Sequence, residues 1–227
     1  RKIIVEYPQG WLSFPEEQKG NNKQAEWRTD PKRSGIAGAV GDIGSHAENL
    51  AEYVTGLKIT ELCADITTYV ENRLLDDDAN ILLHFENGAK GILHCSQICN
   101  GDLNGLNFRI YGELGTLQWL QERPQYLYHK TTEGQRVYEP SVGALSDAAN
   151  NHTRIPFGHP EGYLEAFANI YRNFARTVRK TMNGEIPNEF DLDYPKIEDG
   201  IRGMEFIEAV ISSGNAGSTW VQMKSSL

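Results

Sequence analysis

From residue 59 to residue 138 the chain is cut into short runs of β-branched and aromatic side chains separated by turn dipeptides. No other feature restricts the fold as much. Residues 59–70 and 79–85 read as strands, and Asn87-Gly88 after them is a strong hairpin signal, because a tight turn there needs positive φ. Residues 89–99 are the return strand. Residues 107–111 and 115–120 pair across a Gly-Glu-Leu-Gly turn, and 125–129 and 135–138 pair through Glu133-Gly134. Residues 2–11 read as a further strand, 13–32 as a polar loop, and 220–223 as a closing strand.

Helical periodicity is confined to three places. Residues 40–54 form one helix, with Gly56 as its C-terminal cap. Residues 163–182 form an amphipathic helix with Leu164, Phe167, Ile170, Tyr171, Phe174 and Val178 on one side, and Asn183-Gly184 ends it. Residues 197–213 form another, expected to bury Ile201, Met204, Ile207, Ala209 and Ile211. Residues 140–160 have little periodicity and read as a long loop, a kind of segment that is usually functional or disordered. Segregated strands and helices predict an α+β domain over 1–227: a large, predominantly antiparallel open sheet with helices on one face.

Composition excludes several functions. A net charge of −9 with scattered basic residues argues against a nucleic-acid partner, which needs clustered Lys and Arg. The Arg172 to Lys180 cluster alternates with apolar positions and reads as a solvated helix face. No apolar run reaches membrane-spanning length, and the N-terminus has no leader pattern. Cys63, Cys95 and Cys99 are too few for a disulfide framework and lack zinc spacing, so reduced thiols and a cytoplasmic location are expected. The chain starts directly in a strand-like run without methionine, which is expected of a piece of a longer chain. Gly38-Ala-Val-Gly-Asp-Ile-Gly44 is glycine-rich, yet its spacing and its position after a loop do not match a phosphate cradle.

The segment carrying most chemistry is Gly41-Asp-Ile-Gly-Ser-His-Ala-Glu-Asn49. At about 100° per residue, Asp42, His46, Asn49 and Tyr53 share one stripe, and Ile43, Ala47, Leu50, Ala51 and Val54 share a core-facing one. A carboxylate one turn from an imidazole orients it and favours its protonated form, which makes a general acid/base unit. Spacing alone leaves two other readings: a first-turn Asp beside an ordinary surface His, or half of a metal site whose remaining ligands nothing specifies. Gln9 and Trp11 lie two apart and share a strand face, where an amide beside an indole suits a sugar. Core packing explains Trp11 equally well. Arg28 either hydrogen-bonds hydroxyls or braces the loop. His159 either reaches a pocket or belongs to a helix start with Pro160 and Glu161.

Asp42-Ile-Gly-Ser-His46 resembles the DxGxH motif of the Gfo/Idh/MocA family, the relatives of glucose–fructose oxidoreductase and inositol dehydrogenase. The resemblance continues, in order, through Val5 to Trp11, Trp27-Arg28-Thr-Asp-Pro31, His159 to Asn169 and Asp199-Gly-Ile-Arg202. It implies a C-terminal substrate-binding and oligomerisation domain, with the N-terminal Rossmann domain outside this chain. That domain would hold NAD or NADP and supply a catalytic lysine. The implied activity is oxidation of a secondary alcohol on a sugar, cyclitol or related polyol. His46 would exchange the hydroxyl proton, Asp42 would orient it, and Gln9, Trp11, Arg28 and His159 would line the substrate pocket. Homodimers or homotetramers through the sheet face are also implied. Ile36 and Ala37 depart from glycines frequent in relatives, and Asn49 replaces a frequent Asp. Two rival functions remain open at this point: a non-catalytic sugar-binding or assembly module, and a metal-dependent hydrolase.

Overall fold

Strand β1 (Lys2–Pro8) alternates outward residues with Ile3, Val5 and Tyr7, which are buried. The computed structural model describes residues 1–224. In it β1 joins β2 (Ile59–Thr67), β3 (Asp78–Phe85), β4 (Lys90–Ser96), β5 (Asn107–Tyr111), β6 (Thr116–Leu120), β7 (Leu127–Thr131), β8 (Gly134–Tyr138) and β9 (Val221–Gln222). They form one open sheet in the order β8-β7-β6-β5-β1-β4-β3-β2-β9. Every pairing is antiparallel except that of β1 with β4. The β3–β4 hairpin turns at Asn87-Gly88, with Gly88 at φ +82°, where a side chain would be strained. The chain is therefore α+β with a mixed, mostly antiparallel sheet.

Six helices accompany the sheet among the described residues: α1 (Lys23–Arg28), α2 (Pro31–Ser34), α3 (Ser45–Thr55), α4 (Asp147–His152), α5 (Tyr163–Met182) and α6 (Ile197–Asn215). Helix α3 packs over β1 and β4, and helix α6 over β2 and β9 at one edge of the sheet. Ala47 and Ala51 of α3 and Phe206 and Val210 of α6 join Ile3, Val5, Leu62, Ile81 and Leu93 in one core. Each large side chain fully buried there contributes about 1.5–3 kcal/mol by leaving water. No helix among the described residues is long and apolar enough to cross a membrane.

Several expectations are corrected. Residues 13–32 are not simply a loop: Asn22 caps α1 through Ala25 N, and Asp30 with Pro31 starts α2 through Lys32 N. The 140–160 segment contains α4, capped by the Ser146 hydroxyl accepting from Ala149 N. β1 stops at Pro8 rather than at residue 11, and the chain leaves the sheet after Gln9 N donates to Ser96 O (2.8 Å). On α6, Ile201 and Met204 are exposed, and the buried face is Phe206, Ala209, Val210 and Ser213. Of the expected stripe, Ala209 is buried and Ile207 and Ile211 pack against the core, whereas the N-terminal Ile201 and Met204 lie outside it.

Candidate active site

The approach to α3 is unusual. Val40–Gly44 forms a π-turn, closed by Ser45 N donating to Val40 O. Such turns are rare and cluster at functional sites. Asp76 anchors its start: Oδ1 accepts from Gly38 N (2.6 Å) and Oδ2 from Val40 N (2.8 Å). The glycines here serve packing. A Cβ on Gly38 would lie 2.1 Å from Asp76 O, and one on Gly44 would lie 3.0 Å from the Cys95 thiol of β4. Close approach to the Asp76 backbone at Gly38 and to β4 at Gly44 therefore accounts for glycine at these two positions.

The turn brings Asp42 and His46 to a hollow of about 510 Å³ beside the C-terminal end of β1, lined also by Tyr7, Gln9, Trp11 and Arg28. Asp42 is half-buried. Its Oδ2 accepts from Arg28 Nε (2.9 Å) and from Gln97 Nε2 (2.8 Å). Gln97 is itself buried, at 2% exposure, so this clamp is part of the rigid frame. Among the described residues Oδ1 has no hydrogen-bond partner. The Arg28 guanidinium lies over the Trp27 ring (4.4 Å) and near that of Trp11 (5.9 Å), so the cation is both stacked and paired. His46 is exposed and meets the Tyr7 ring edge-on, with centroids 6.3 Å apart. No hydrogen bond joins Asp42 to His46, although both face the same space. The i,i+4 bond expected from an ordinary helix is absent because Asp42 lies within the wider π-turn.

A polar chain runs along the other wall. Trp11 Nε1 donates to Gln9 Oε1 (3.0 Å), Gln9 Nε2 donates to Asn104 Oδ1 (2.9 Å), and the Tyr7 hydroxyl donates to the same oxygen (2.7 Å). Burial raises the pKa of Tyr7 and keeps it a neutral donor.

Among the residues singled out from sequence, the structure brings together Gln9, Trp11, Arg28, Asp42 and His46. It does not bring His159, which sits in an exposed turn against the carbonyls of Pro156 (3.2 Å) and Phe157 (3.3 Å). The expected four-residue stripe is divided. Asn49 and Tyr53 line a separate cavity between α3, α5 and α6, where the Tyr53 hydroxyl donates to Asp193. Val54 of the expected core stripe is exposed, whereas Ile43, Ala47 and Ala51 are buried. Sequence reasoning missed Tyr7, Gln97 and Asn104. The alternation in β1 puts Tyr7 on the same face as Val5, which was a usable signal. Nothing local marked Gln97 or Asn104. No group of three or more His, Cys, Asp or Glu able to hold a metal occurs among the described residues.

Comparison with known proteins agrees with this architecture. Residues 5–118 match the family model of the GFO/IDH/MocA C-terminal domain. The chain is 34% identical over 99% of its length to the uncharacterized oxidoreductase YfiI of Bacillus subtilis, and spans 58% of that protein. An inositol dehydrogenase homologue of Azotobacter vinelandii, solved with NAD+, superposes with a TM-score of 0.90 at 31% identity, over 98% of this chain and 57% of the other. The levoglucosan dehydrogenase of Pseudarthrobacter phenanthrenivorans is 26% identical over 140 residues, which are 52% of this chain and 34% of the enzyme. The chain thus spans little more than half the length of YfiI and of the Azotobacter protein. With the family match covering half of its residues and a relative's fold retained from end to end, the chain belongs to the GFO/IDH/MocA family, as a C-terminal domain.

Proposed function

We propose that this chain is the substrate-binding and proton-handling half of an NAD- or NADP-dependent oxidoreductase acting on a secondary alcohol of a sugar, cyclitol or related polyol. One observation carries the reading: Asp42 is clamped through Oδ2 by Arg28 and Gln97, Oδ1 has no hydrogen bond among the described residues, and Asp42 and His46 line the same hollow. A substrate hydroxyl donating to Oδ1 is oriented by a group that the clamp prevents from rotating. His46, exposed and without a hydrogen bond among the described residues, then takes the hydroxyl proton as general base. Gln9 and Arg28 supply further polar contacts, and Trp11 an apolar platform for the ring carbons. The nicotinamide, held by a dinucleotide domain outside this chain, supplies hydride acceptance from the same carbon. The residues of this chain fit the proton half of the reaction, while Gly38 and Gly44 are required by packing.

The same reading includes assembly through the open sheet face, in a compartment that keeps the three thiols reduced. Across that face the register aligns Leu82 with Ile92, Ile92 with Ile4, and Ile4 with Arg109, a partly apolar row in which Leu82 is 49% exposed. Rows of this kind mark contact surfaces. Scattering at increasing concentration should reveal a dimer or tetramer, and a monomer throughout would remove this part.

Catalysis is tested in the full-length protein by NAD(P)H formation with myo-inositol and levoglucosan as trial substrates. Replacing His46→Ala should lower turnover by roughly 10²–10⁴-fold. Wild-type activity in that variant would overturn the assignment.

A further inference from the structure

A donor-only group sets the direction of the polar chain along the hollow. The Trp11 indole N–H cannot accept a hydrogen bond, so the Gln9 atom facing it at 3.0 Å must be the carbonyl oxygen. That orientation turns Gln9 Nε2 toward Asn104, and the Asn104 atom receiving it at 2.9 Å must be Oδ1. The Tyr7 hydroxyl donates to the same Oδ1 at 2.7 Å. Both lone pairs of that oxygen are then occupied. What remains of the Asn104 side chain is Nδ2, with two N–H groups and no hydrogen bond among the described residues. Asn104 is exposed and lines the same hollow as Asp42 and His46.

The hollow therefore has a polarity. At one wall Asp42 Oδ1 only accepts; at the other Asn104 Nδ2 only donates. A hydroxyl satisfies either wall by rotating, whereas an ether oxygen satisfies only the donor. Resting on the oxidoreductase reading above, we propose that Asn104 is a specificity-determining residue that donates to the ring or bridging acetal oxygen of a cyclic sugar. It thereby admits pyranose and anhydrosugar substrates, whose ether oxygen can only accept, whereas cyclitols, with hydroxyls alone, do not depend on a donor at that wall. The Tyr7 side chain couples the two functions, because its hydroxyl holds Asn104 while its ring lies edge-on to His46.

The test is Asn104→Asp in the full-length protein. The carboxylate has the same shape and still accepts from Gln9 and Tyr7, but it offers the ligand an acceptor in place of a donor. Levoglucosan, with acetal oxygens, and myo-inositol, with hydroxyls alone, are compared by calorimetric Kd and by kcat and KM. Asn104→Asp should weaken levoglucosan binding tenfold or more, chiefly in Kd and KM, and change myo-inositol binding less than threefold. Equal losses for both ligands, or no loss for either, would overturn the proposal. So would a wild-type protein that binds neither. If the wild type binds both and oxidises neither, the oxidoreductase reading fails, and the ratio of the two Kd changes still decides the role of Asn104.

Discussion

Helices α3 and α5 are both amphipathic, and they present opposite faces to the rest of the chain. Helix α3 turns Ala47 and Ala51 to the sheet and leaves His46, Asn49 and Tyr53 outside. Helix α5 does the reverse. Leu164, Phe167, Ile170, Tyr171, Phe174 and Val178 are all exposed, Leu164 by 76%, whereas Asn169 and Asn173 are buried. A ladder of polar bonds holds it: Asn169 Nδ2 to His152 O (2.8 Å), Asn173 Nδ2 to Asp193 O (2.9 Å), Thr177 Oγ1 to Asp191 O (2.7 Å) and Lys180 Nζ to Asp191 Oδ2 (2.6 Å). An amphipathic pattern thus specifies that a helix has two faces. It does not specify which face this chain covers.

The contrast can be broken by experiment, and the largest effect lies on the sheet side. Phe206→Ala in α6, at a fully buried position, should lower unfolding free energy by about 3–5 kcal/mol. Leu164→Ala in α5 should cost less than about 0.5 kcal/mol. Equal midpoint shifts in urea would show that α5 is packed as tightly as α6.

A second effect sharpens the account of α3. Glu48 is 2% exposed, and burial, reinforced by the Glu52 carboxylate, raises its pKa to about 8. The folded state then holds a proton that the unfolded chain releases near pH 4.5, so stability falls as pH rises from about 4.5 to 8. The change amounts to on the order of 5 kcal/mol across that window. Glu48→Gln should flatten the slope and stabilise the protein at pH 8.5, while changing little at pH 5. A slope that survives the substitution would place its origin elsewhere.

A smaller effect than those of Phe206 and Glu48 tests the inverted helix itself. Asn173→Leu leaves the Asp193 carbonyl without its side-chain donor and the Arg172 guanidinium with only the Asn151 carbonyl, and should cost about 1–3 kcal/mol despite its gain in apolarity. An unchanged or higher melting temperature would mean that the polar ladder contributes nothing.

Much of the molecule was legible in the sequence, for local reasons. The turn at Asn87-Gly88, the alternation of β1 and the cap at Gly56 each depend on a few neighbouring residues, and each appears where expected. Asp42 and His46 were legible by spacing and family likeness, and Gln9, Trp11 and Arg28 gather around them. His159 does not, since nothing in its turn directs it to the hollow. Short helices within the segments read as loops escaped notice because a single capping residue, Asn22, Asp30 or Ser146, starts each of them.

Chain order and side-chain period alone determined an α+β domain with a mostly antiparallel sheet, and the spacing that sets Asp42 four residues before His46. Tertiary structure alone decided that β1 enters beside β4 in parallel, which carries Gln97 to Asp42 and aligns Pro8 with Ser96. It alone decided that Asn104 meets Gln9 and Tyr7, and that α5 faces its apolar side outward. The division has one physical cause. Backbone conformation and amphipathicity are set by residues within a turn or two of each other, whereas a hydrogen bond between residues 42 and 97, or 9 and 104, exists only once the sheet has chosen its strand order.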